Sequence, residues 1–181
     1  MVRIYGNRPL KTLAGLSTRP TTARVREAVF HRWQHQLSGC YWLDLCAGSG
    51  SMGAEALCRD AAIVCGIEQS DKACQVIRQN WQPLARPGQQ LQIIRGDVVK
   101  MITKLQGQSF DLIYFDPPYE SGLYEPVLEA IATHHLLNPT GELAVEHNCK
   151  RTFTPAPPAL EVCHTRIYGN TALTFFRPVC G

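Results

Sequence analysis

Four consecutive residues, Asp116-Pro117-Pro118-Tyr119, place a carboxylate, a rigid kink and an aromatic ring directly behind an apolar run, Phe110-Asp111-Leu112-Ile113-Tyr114-Phe115. The run reads as a buried strand. Neither proline can donate to a ladder, so the strand must end there. In open parallel sheets that edge is where ligands bind. A carboxylate and a backbone carbonyl side by side accept N–H donors, and a tyrosine ring offers a face for stacking. Asp116, Pro117, Pro118 and Tyr119 are therefore candidate site residues at that edge.

A second such edge lies upstream. Asp44-Leu45-Cys46-Ala47-Gly48-Ser49-Gly50-Ser51-Met52-Gly53 follows a strand and opens a helix, and it contains Gly48-x-Gly50-x-x-Gly53. Glycines let a ligand approach the backbone, and a helix N-terminus offers free N–H groups. The spacing alone fits a dinucleotide oxidoreductase as well. Glu68 ends the next strand, twenty residues after Gly48, where an acid can accept from two ribose hydroxyls. Asp97 stands after the third strand, where its side chain or the next backbone N–H, that of Val98, could read an adenine. Asp44 discriminates between the ligands. A carboxylate at this turn repels a pyrophosphate and suits a cationic amine such as that of S-adenosylmethionine; the bland alternative is that Asp44 caps the glycine loop and touches no ligand. The candidate cofactor-binding set is Asp44, Ala47, Gly48, Ser49, Gly50, Glu68, Gln69, Asp97, Val98 and Asp116.

These residues need a scaffold, and the sequence supplies alternating elements. Val2 to Tyr5 can form a short strand and the rest of residues 1–20 reads as loop. Thr21-Thr22 can cap a helix whose Val25, Ala28, Val29 and Trp33 recur at helical spacing. Strands follow at Tyr41 to Leu45, Ile63 to Glu68, Leu91 to Arg95, Phe110 to Phe115 and Glu142 to Glu146. Helices are expected at Ser51 to Arg59, from Asp71 to about Trp81 (capped by Ser70), at Val98 to Leu105, and from Tyr124 to about His134. Glu161 to Tyr168 and Ala172 to Arg177 flank Gly169-Asn170, a two-residue hairpin signal. Alternating βα units imply an α/β fold with a mostly parallel sheet and helices on both faces, extended by an antiparallel hairpin.

A chain of 181 residues with 45% hydrophobic residues suits one domain with a sizeable core and no disorder. No apolar run is long enough for a membrane helix, and no signal peptide is evident. The eight cysteines contain no C-x-x-C pair, so no metal site is expected; they read as reduced thiols of a cytoplasmic protein. Net charge is only +3 but unevenly placed: residues 1–35 hold seven basic side chains against one acid, Glu27, and the remainder is slightly acidic. A basic segment on such a domain suits a polyanionic partner or, equally, a solvated charged face.

The wider pattern resembles a known family. Thr18-Arg19-Pro20-Thr21-Thr22-Ala23-Arg24-Val25-Arg26-Glu27-Ala28-Val29-Phe30, the glycine loop, Asp116-Pro117-Pro118-Tyr119 and Arg166-Ile167-Tyr168-Gly169-Asn170-Thr171 are similar to the bacterial 16S ribosomal RNA guanine-N2 methyltransferases of the RsmD type. The resemblance spans nearly the whole chain. The Asp-Pro-Pro-Tyr turn is shared with DNA adenine and cytosine amino-methyltransferases; the Arg-Pro-Thr-Thr segment points to the ribosomal RNA family. The basic stretch before Leu10 is a few residues short of the family pattern, and Cys46 stands where an aromatic is common. The resemblance implies a Rossmann-like class I fold dependent on S-adenosylmethionine, with S-adenosylhomocysteine as product. It further implies methyl transfer to the exocyclic N2 of a guanine in 16S ribosomal RNA, on the small subunit or its assembly intermediate, with Asp116, Pro117, Pro118 and Tyr119 as the candidate catalytic residues; nothing in the chain demands a dimer, so a monomer is expected. Residues 1–35 would form an RNA-binding extension packed on a methyltransferase domain of residues 36–181, with Arg3, Arg8, Lys11, Arg19, Arg24 and Arg26 as candidate phosphate contacts. Rival readings are a DNA amino-methyltransferase, a protein glutamine methyltransferase, and a non-catalytic module that binds the cofactor or RNA.

Overall fold

The structure, a computed structural model, describes residues 2–13, 22–153, 156 and 159–179. Seven strands form one sheet: β3 (Tyr41–Leu45), β4 (Ile63–Glu68), β5 (Gln90–Arg95), β6 (Phe110–Phe115), β7 (Leu137–Asn148), β8 (Leu160–Tyr168) and β9 (Thr171–Pro178). Their order is β5-β4-β3-β6-β7-β9-β8. The five strands from β5 to β7 are parallel, whereas β9 runs antiparallel to both β7 and β8. A separate hairpin of β1 (Val2–Ile4) and β2 (Arg8–Leu10) precedes them. The expected Rossmann-like architecture, with its closing antiparallel hairpin, is what the chain adopts.

Helices cover both faces. Side chains of α1 (Ala23–Arg32), α2 (Ser51–Cys58) and α3 (Asp71–Trp81) share one core with Trp42, Leu112 and Leu173. Those of α4 (Val98–Ile102) and α5 (Tyr124–Thr133) share a second with Leu43, Ile113 and Phe176. The strands explain this split, since alternate residues of a strand point to opposite faces. Expected caps are in place: Thr22 accepts from the Val25 N–H at 3.3 Å and Ser70 from the Ala73 N–H at 3.3 Å.

Packing is continuous across residue 35. Phe30 stacks on Trp42 at 5.3 Å, and Trp33 meets the same ring edge-on at 5.4 Å. Buried Glu142 on β7 pins α1 to the sheet by accepting from Arg32 and from Trp33 Nε1, both at 2.6 Å, and from Arg177 of β9 at 3.0 Å.

Two elements differ from expectation. Residues 8–10 form a strand rather than loop, because the turn at Gly6 (φ 72°) folds the chain back and buries Ile4 and Leu10 together. β7 begins at Leu137, before the Pro139 and Gly141 that signal a break, because a register shift between its Phe110 and Leu112 pairings absorbs the irregular residues. All seven cysteines among the described residues are free thiols, and Cys180 lies outside those residues. No helix among the described residues is long and apolar enough to cross a membrane.

Candidate active site

The strand order reverses between β3 and β6, so the loops leaving these two neighbours run to opposite sides of the sheet and leave a crevice at their carboxyl ends. The glycine loop leaves β3 there and Asp116-Pro117-Pro118-Tyr119 leaves β6 there. A cavity of about 670 Å³ fills the crevice, of a size that takes a nucleoside-sized ligand. Asp116, Pro117, Pro118 and Tyr119 all line it, as do Ala47, Gly48, Ser49, Glu68, Gln69, Asp97 and Val98.

The glycine loop starts with a bend. Cys46 sits at φ 63°, a conformation that costs a non-glycine residue about 1 kcal/mol or more, and it turns the chain across the end of the sheet. Burial, reinforced by the charges of Glu68 and Asp116, pushes the Cys46 thiol far above its usual range, so it is no nucleophile at neutral pH. Glu68 braces the loop. Its Oε2 accepts from the Gly48 N–H at 2.9 Å and its Oε1 from the Ser70 N–H at 2.8 Å. Each carboxylate oxygen retains a second lone pair for a ligand hydroxyl. Asp97 caps α4, accepting from the Lys100 N–H at 3.0 Å, while lining the cavity.

Two predicted cofactor residues fall outside the cavity lining. Asp44 is buried below the loop and accepts from the Gly53 N–H at 3.1 Å. It acts as the loop cap in this structure. Gly50 and Gly53 make room for Trp81 rather than for a ligand: a Cβ on Gly50 would lie 2.7 Å from Trp81 Nε1, and one on Gly53 would lie 2.3 Å from Trp81 Cζ2. The indole N–H donates to the Gly50 carbonyl at 2.7 Å. Among the three glycines of the motif, Gly48 alone faces the cavity.

Tyr119 is held from the neighbouring strands β7 and β9 at the same edge of the sheet. Its hydroxyl lies 2.8 Å from Thr171 Oγ1 and donates to Glu146 at 3.2 Å. Glu146 also accepts from the Tyr114 hydroxyl at 2.5 Å and lines the cavity. Burial above all, with the nearby Glu146 and Asp116 charges, pushes the Tyr119 hydroxyl up to about 12 against the opposing Thr171 bond. Tyr119 therefore stays protonated at neutral pH, with its ring fixed in place by these bonds.

The N-terminal segment also reaches the site. Asn80 of α3 accepts from the Lys11 N–H at 3.0 Å and donates to the Lys11 carbonyl at 3.0 Å and to the Ser49 carbonyl at 2.9 Å. This ties the end of β2 to the glycine loop, and Thr12 and Leu13 then line the cavity. Glu146 is legible as the end of the fifth strand and so as a residue that could line the site, whereas no local signal marks Asn80 or Thr171 for these roles.

The predicted phosphate contacts separate into different settings. Arg3 donates to Asn7, Arg8 to Cys58 Sγ and Lys11 Nζ to Gln79, all from exposed positions. Arg24 is exposed, and Arg19 lies outside the described residues. Arg26 is a correction. It is buried, paired with buried Glu55 at 2.8 Å, and bonded to the Arg3 carbonyl at 2.6 Å, so it cannot meet an RNA phosphate without leaving the core. No cluster of potential metal ligands occurs among the described residues.

A switch-point cavity with a glycine loop on one wall and Asp-Pro-Pro-Tyr on the other, in this strand order, defines a Rossmann-like methyltransferase fold. Comparison with known proteins agrees. The family described as "Conserved hypothetical protein 95" matches residues 2–177, and the chain belongs to this family, that of the RsmD-type methyltransferases. YlbH of Bacillus subtilis is 30% identical over 172 residues, covering 94% of this chain and 93% of the relative. Ribosomal RNA small subunit methyltransferase D of Haemophilus influenzae is 30% identical over 144 residues, covering 79% of this chain and 75% of the relative. The solved structure of yhhF from Escherichia coli superposes with a TM-score of 0.85 at 26% identity, covering 99% of both chains.

Proposed function

We propose that this protein is a cytoplasmic ribosomal RNA methyltransferase that moves the methyl group of S-adenosylmethionine to the exocyclic N2 of a guanine in 16S RNA of the small subunit. The observation that carries the reading is the placement of Asp116-Pro117-Pro118-Tyr119 across one cavity from the glycine loop. The names of the relatives supply the ribosomal RNA, and the motif resemblance supplies the guanine. The cavity adds support for guanine. Asp116 and Glu146 both line it, and two carboxylates suit an edge that presents adjacent donors, N1–H and N2–H, better than one that mixes donor and acceptor.

The residues present fit the cofactor: a cavity of about 670 Å³, carboxylates at the ends of β4 and β5, and backbone amides of the loop after β3. Ala47, Gly48 and Ser49 would hold the amino-acid end, Glu68 the ribose hydroxyls, and Asp97 with the Val98 N–H the adenine. S-adenosylmethionine supplies an electrophilic methyl group on a sulfonium. An exocyclic amine is a poor nucleophile because its lone pair is delocalised into the ring. Asp116 can accept one of its N–H bonds and the Pro117 carbonyl the other, which fixes the nitrogen and stabilises the charge that grows on it; as the nitrogen gains the methyl group it gives up one of these protons, to Asp116 or to water. Tyr119, locked by Thr171 and Glu146, presents its ring to the base. A stacked base cannot enter, so the nucleotide must be flipped or already single-stranded.

The test is tritiated methyl transfer to 16S RNA, small subunits, DNA and a protein extract, with Asp116→Ala alongside. Counts in ribosomal RNA that digest to N2-methylguanosine are expected, with a loss of about 100-fold or more in the variant and unchanged cofactor affinity by calorimetry. Counts in DNA or protein instead would overturn the substrate. Loss of cofactor affinity together with activity would move Asp116 to the cofactor site.

A further inference from the structure

We propose that Arg24, Arg166 and Tyr168 form the clamp for the RNA strand flanking the target nucleotide. This inference rests on the ribosomal RNA reading above and specifies where the polyanion lies. Arg24 and Arg166 converge on one ring: their guanidinium carbons stand 5.6 and 5.7 Å from the Tyr168 centroid. Both side chains belong to exposed residues, and neither joins an acid in an ion pair among the described residues. Other arginines are committed elsewhere: Arg26 and Arg59 to Glu55, Arg32 and Arg177 to Glu142, Arg86 to Asp60, Arg95 to Asp71 and Arg151 to Glu125. Two guanidinium groups at one ring, neither paired with an acid among the described residues, offer a phosphate charge-assisted donors from both.

Helix electrostatics sharpen the point. Arg24 is the second residue of α1, and no acid occupies the first turn. A cation there opposes the helix dipole, whereas an anion bound there satisfies both the dipole and the arginine. On the other side stands β8, the terminal strand of the sheet, exposed from Glu161 through Ile167. Nothing in the described fold covers it, and its Arg166 and Tyr168 lie next to the turn that leads into Thr171. Thr171 contacts the Tyr119 hydroxyl at 2.8 Å. The clamp is thus joined to the Tyr119 ring by one hairpin turn, on the side of the sheet edge where a strand entering the cavity can reach it. Phosphate held by two arginines beside a stacking ring is the chemistry of single-strand binding.

The experiment measures binding of the full chain to a single-stranded RNA oligonucleotide by fluorescence anisotropy at several salt concentrations. Arg24→Gln/Arg166→Gln should reduce the slope of log affinity against log salt by about 1.4, two phosphates at about 0.7 each, and weaken binding by about tenfold or more at moderate salt. Cofactor affinity and melting temperature should stay at wild type. Tyr168→Leu should weaken binding by about tenfold while Tyr168→Phe does not. Arg86→Gln/Lys104→Gln, a control at residues outside the cavity lining, should leave the slope unchanged. A wild-type slope in the arginine double variant, or an equal drop in the control, overturns the clamp while methylation of 16S RNA by the wild type keeps the functional reading. A wild-type protein that neither binds nor methylates RNA overturns both, and a double variant defective only toward a protein substrate assigns the surface to a protein partner and overturns the clamp.

Discussion

Gly53→Ala is a sharp test of how the glycine loop is built. Gly53 lies within α2, where a helix-propensity argument makes alanine better than glycine by about 1 kcal/mol. The structure says the opposite. The new Cβ would lie 2.3 Å from Trp81 Cζ2, 2.9 Å from Cε2 and 3.0 Å from Cη2. Trp81 is fully buried and also abuts Gly50 and Gly66, so the ring has nowhere to retreat. Overpacking of this kind costs about 1–3 kcal/mol beyond any propensity gain. A net loss of about 1–2 kcal/mol is expected in urea unfolding with an unchanged m-value. Trp81→Phe removes the indole atoms that clash. It destabilises by itself, but in that background Gly53→Ala should be neutral or stabilising by up to about 1 kcal/mol. The coupling across the double-mutant cycle should therefore be about 1–3 kcal/mol. A stabilised Gly53→Ala single variant, or the same penalty in both backgrounds, would refute the assignment of Gly53 to the Trp81 ring.

The buried carboxylates carry opposite pH signatures. Burial, opposed by the Gly53 N–H and aided by the Glu68 charge, pushes Asp44 from its ordinary value up to about 8. The folded state then holds a proton that the unfolded chain releases near its ordinary acidic pKa. Its contribution is complete below that value, declines as pH rises and is gone above about 8, at no more than about 1.4 kcal/mol per pH unit. Asp44→Asn should gain stability relative to the ligand-free wild type between pH 5 and 8, read as a difference in urea midpoints (roughly the window set by the two states); parallel pH profiles would refute this. Glu142 behaves in reverse. Burial alone would raise it, but bonds from Arg32 and Trp33 and the Arg32 charge hold it below the usual carboxylate range. Its stabilisation is present above the ordinary carboxylate pKa and lost as pH falls through the lower folded value. Glu142→Gln should cost about 3 kcal/mol at neutral pH, and the gap from wild type should narrow in acid; a gap independent of pH would refute the ion pair as its cause.

The fold was legible because its signals are local. The run from Phe110 to Phe115, the Ser70 cap and the Gly169-Asn170 turn each state an element in a few residues, and the structure has those elements. The edge residues Glu68, Asp97 and Asp116 followed from the rule that strands end where ligands bind. The errors arose where a residue's partner lies far away in sequence. Gly50 and Gly53 were legible as glycines, but Trp81, thirty-one and twenty-eight residues later, decides why they are glycines. Arg26 is different, because its burial was readable. It shares a helix face with Val29, Phe30 and Trp33 at spacings of three, four and seven, all buried, and Glu55 meets its charge there. Charge type pointed outward while position pointed inward, and position prevailed because a partner was available.

The closing hairpin shows why the site could not be completed from its motifs. A parallel sheet would position Asp116 and the glycine loop without β8 and β9. It would leave Tyr119 on a proline-rich turn with no anchor for its hydroxyl. Thr171 reaches that hydroxyl only because β9 pairs with β7, bringing residues 52 apart in sequence to 2.8 Å. Glu146, on the strand between β6 and β9, completes the grip and joins Tyr114 to it. The pairing of β8 with β9 in turn sets Tyr168, opposite Thr171, beside Arg24 of α1. One antiparallel addition thus fixes the Tyr119 ring and presents the proposed clamp, so a single hairpin turn joins that surface to the wall of the cavity.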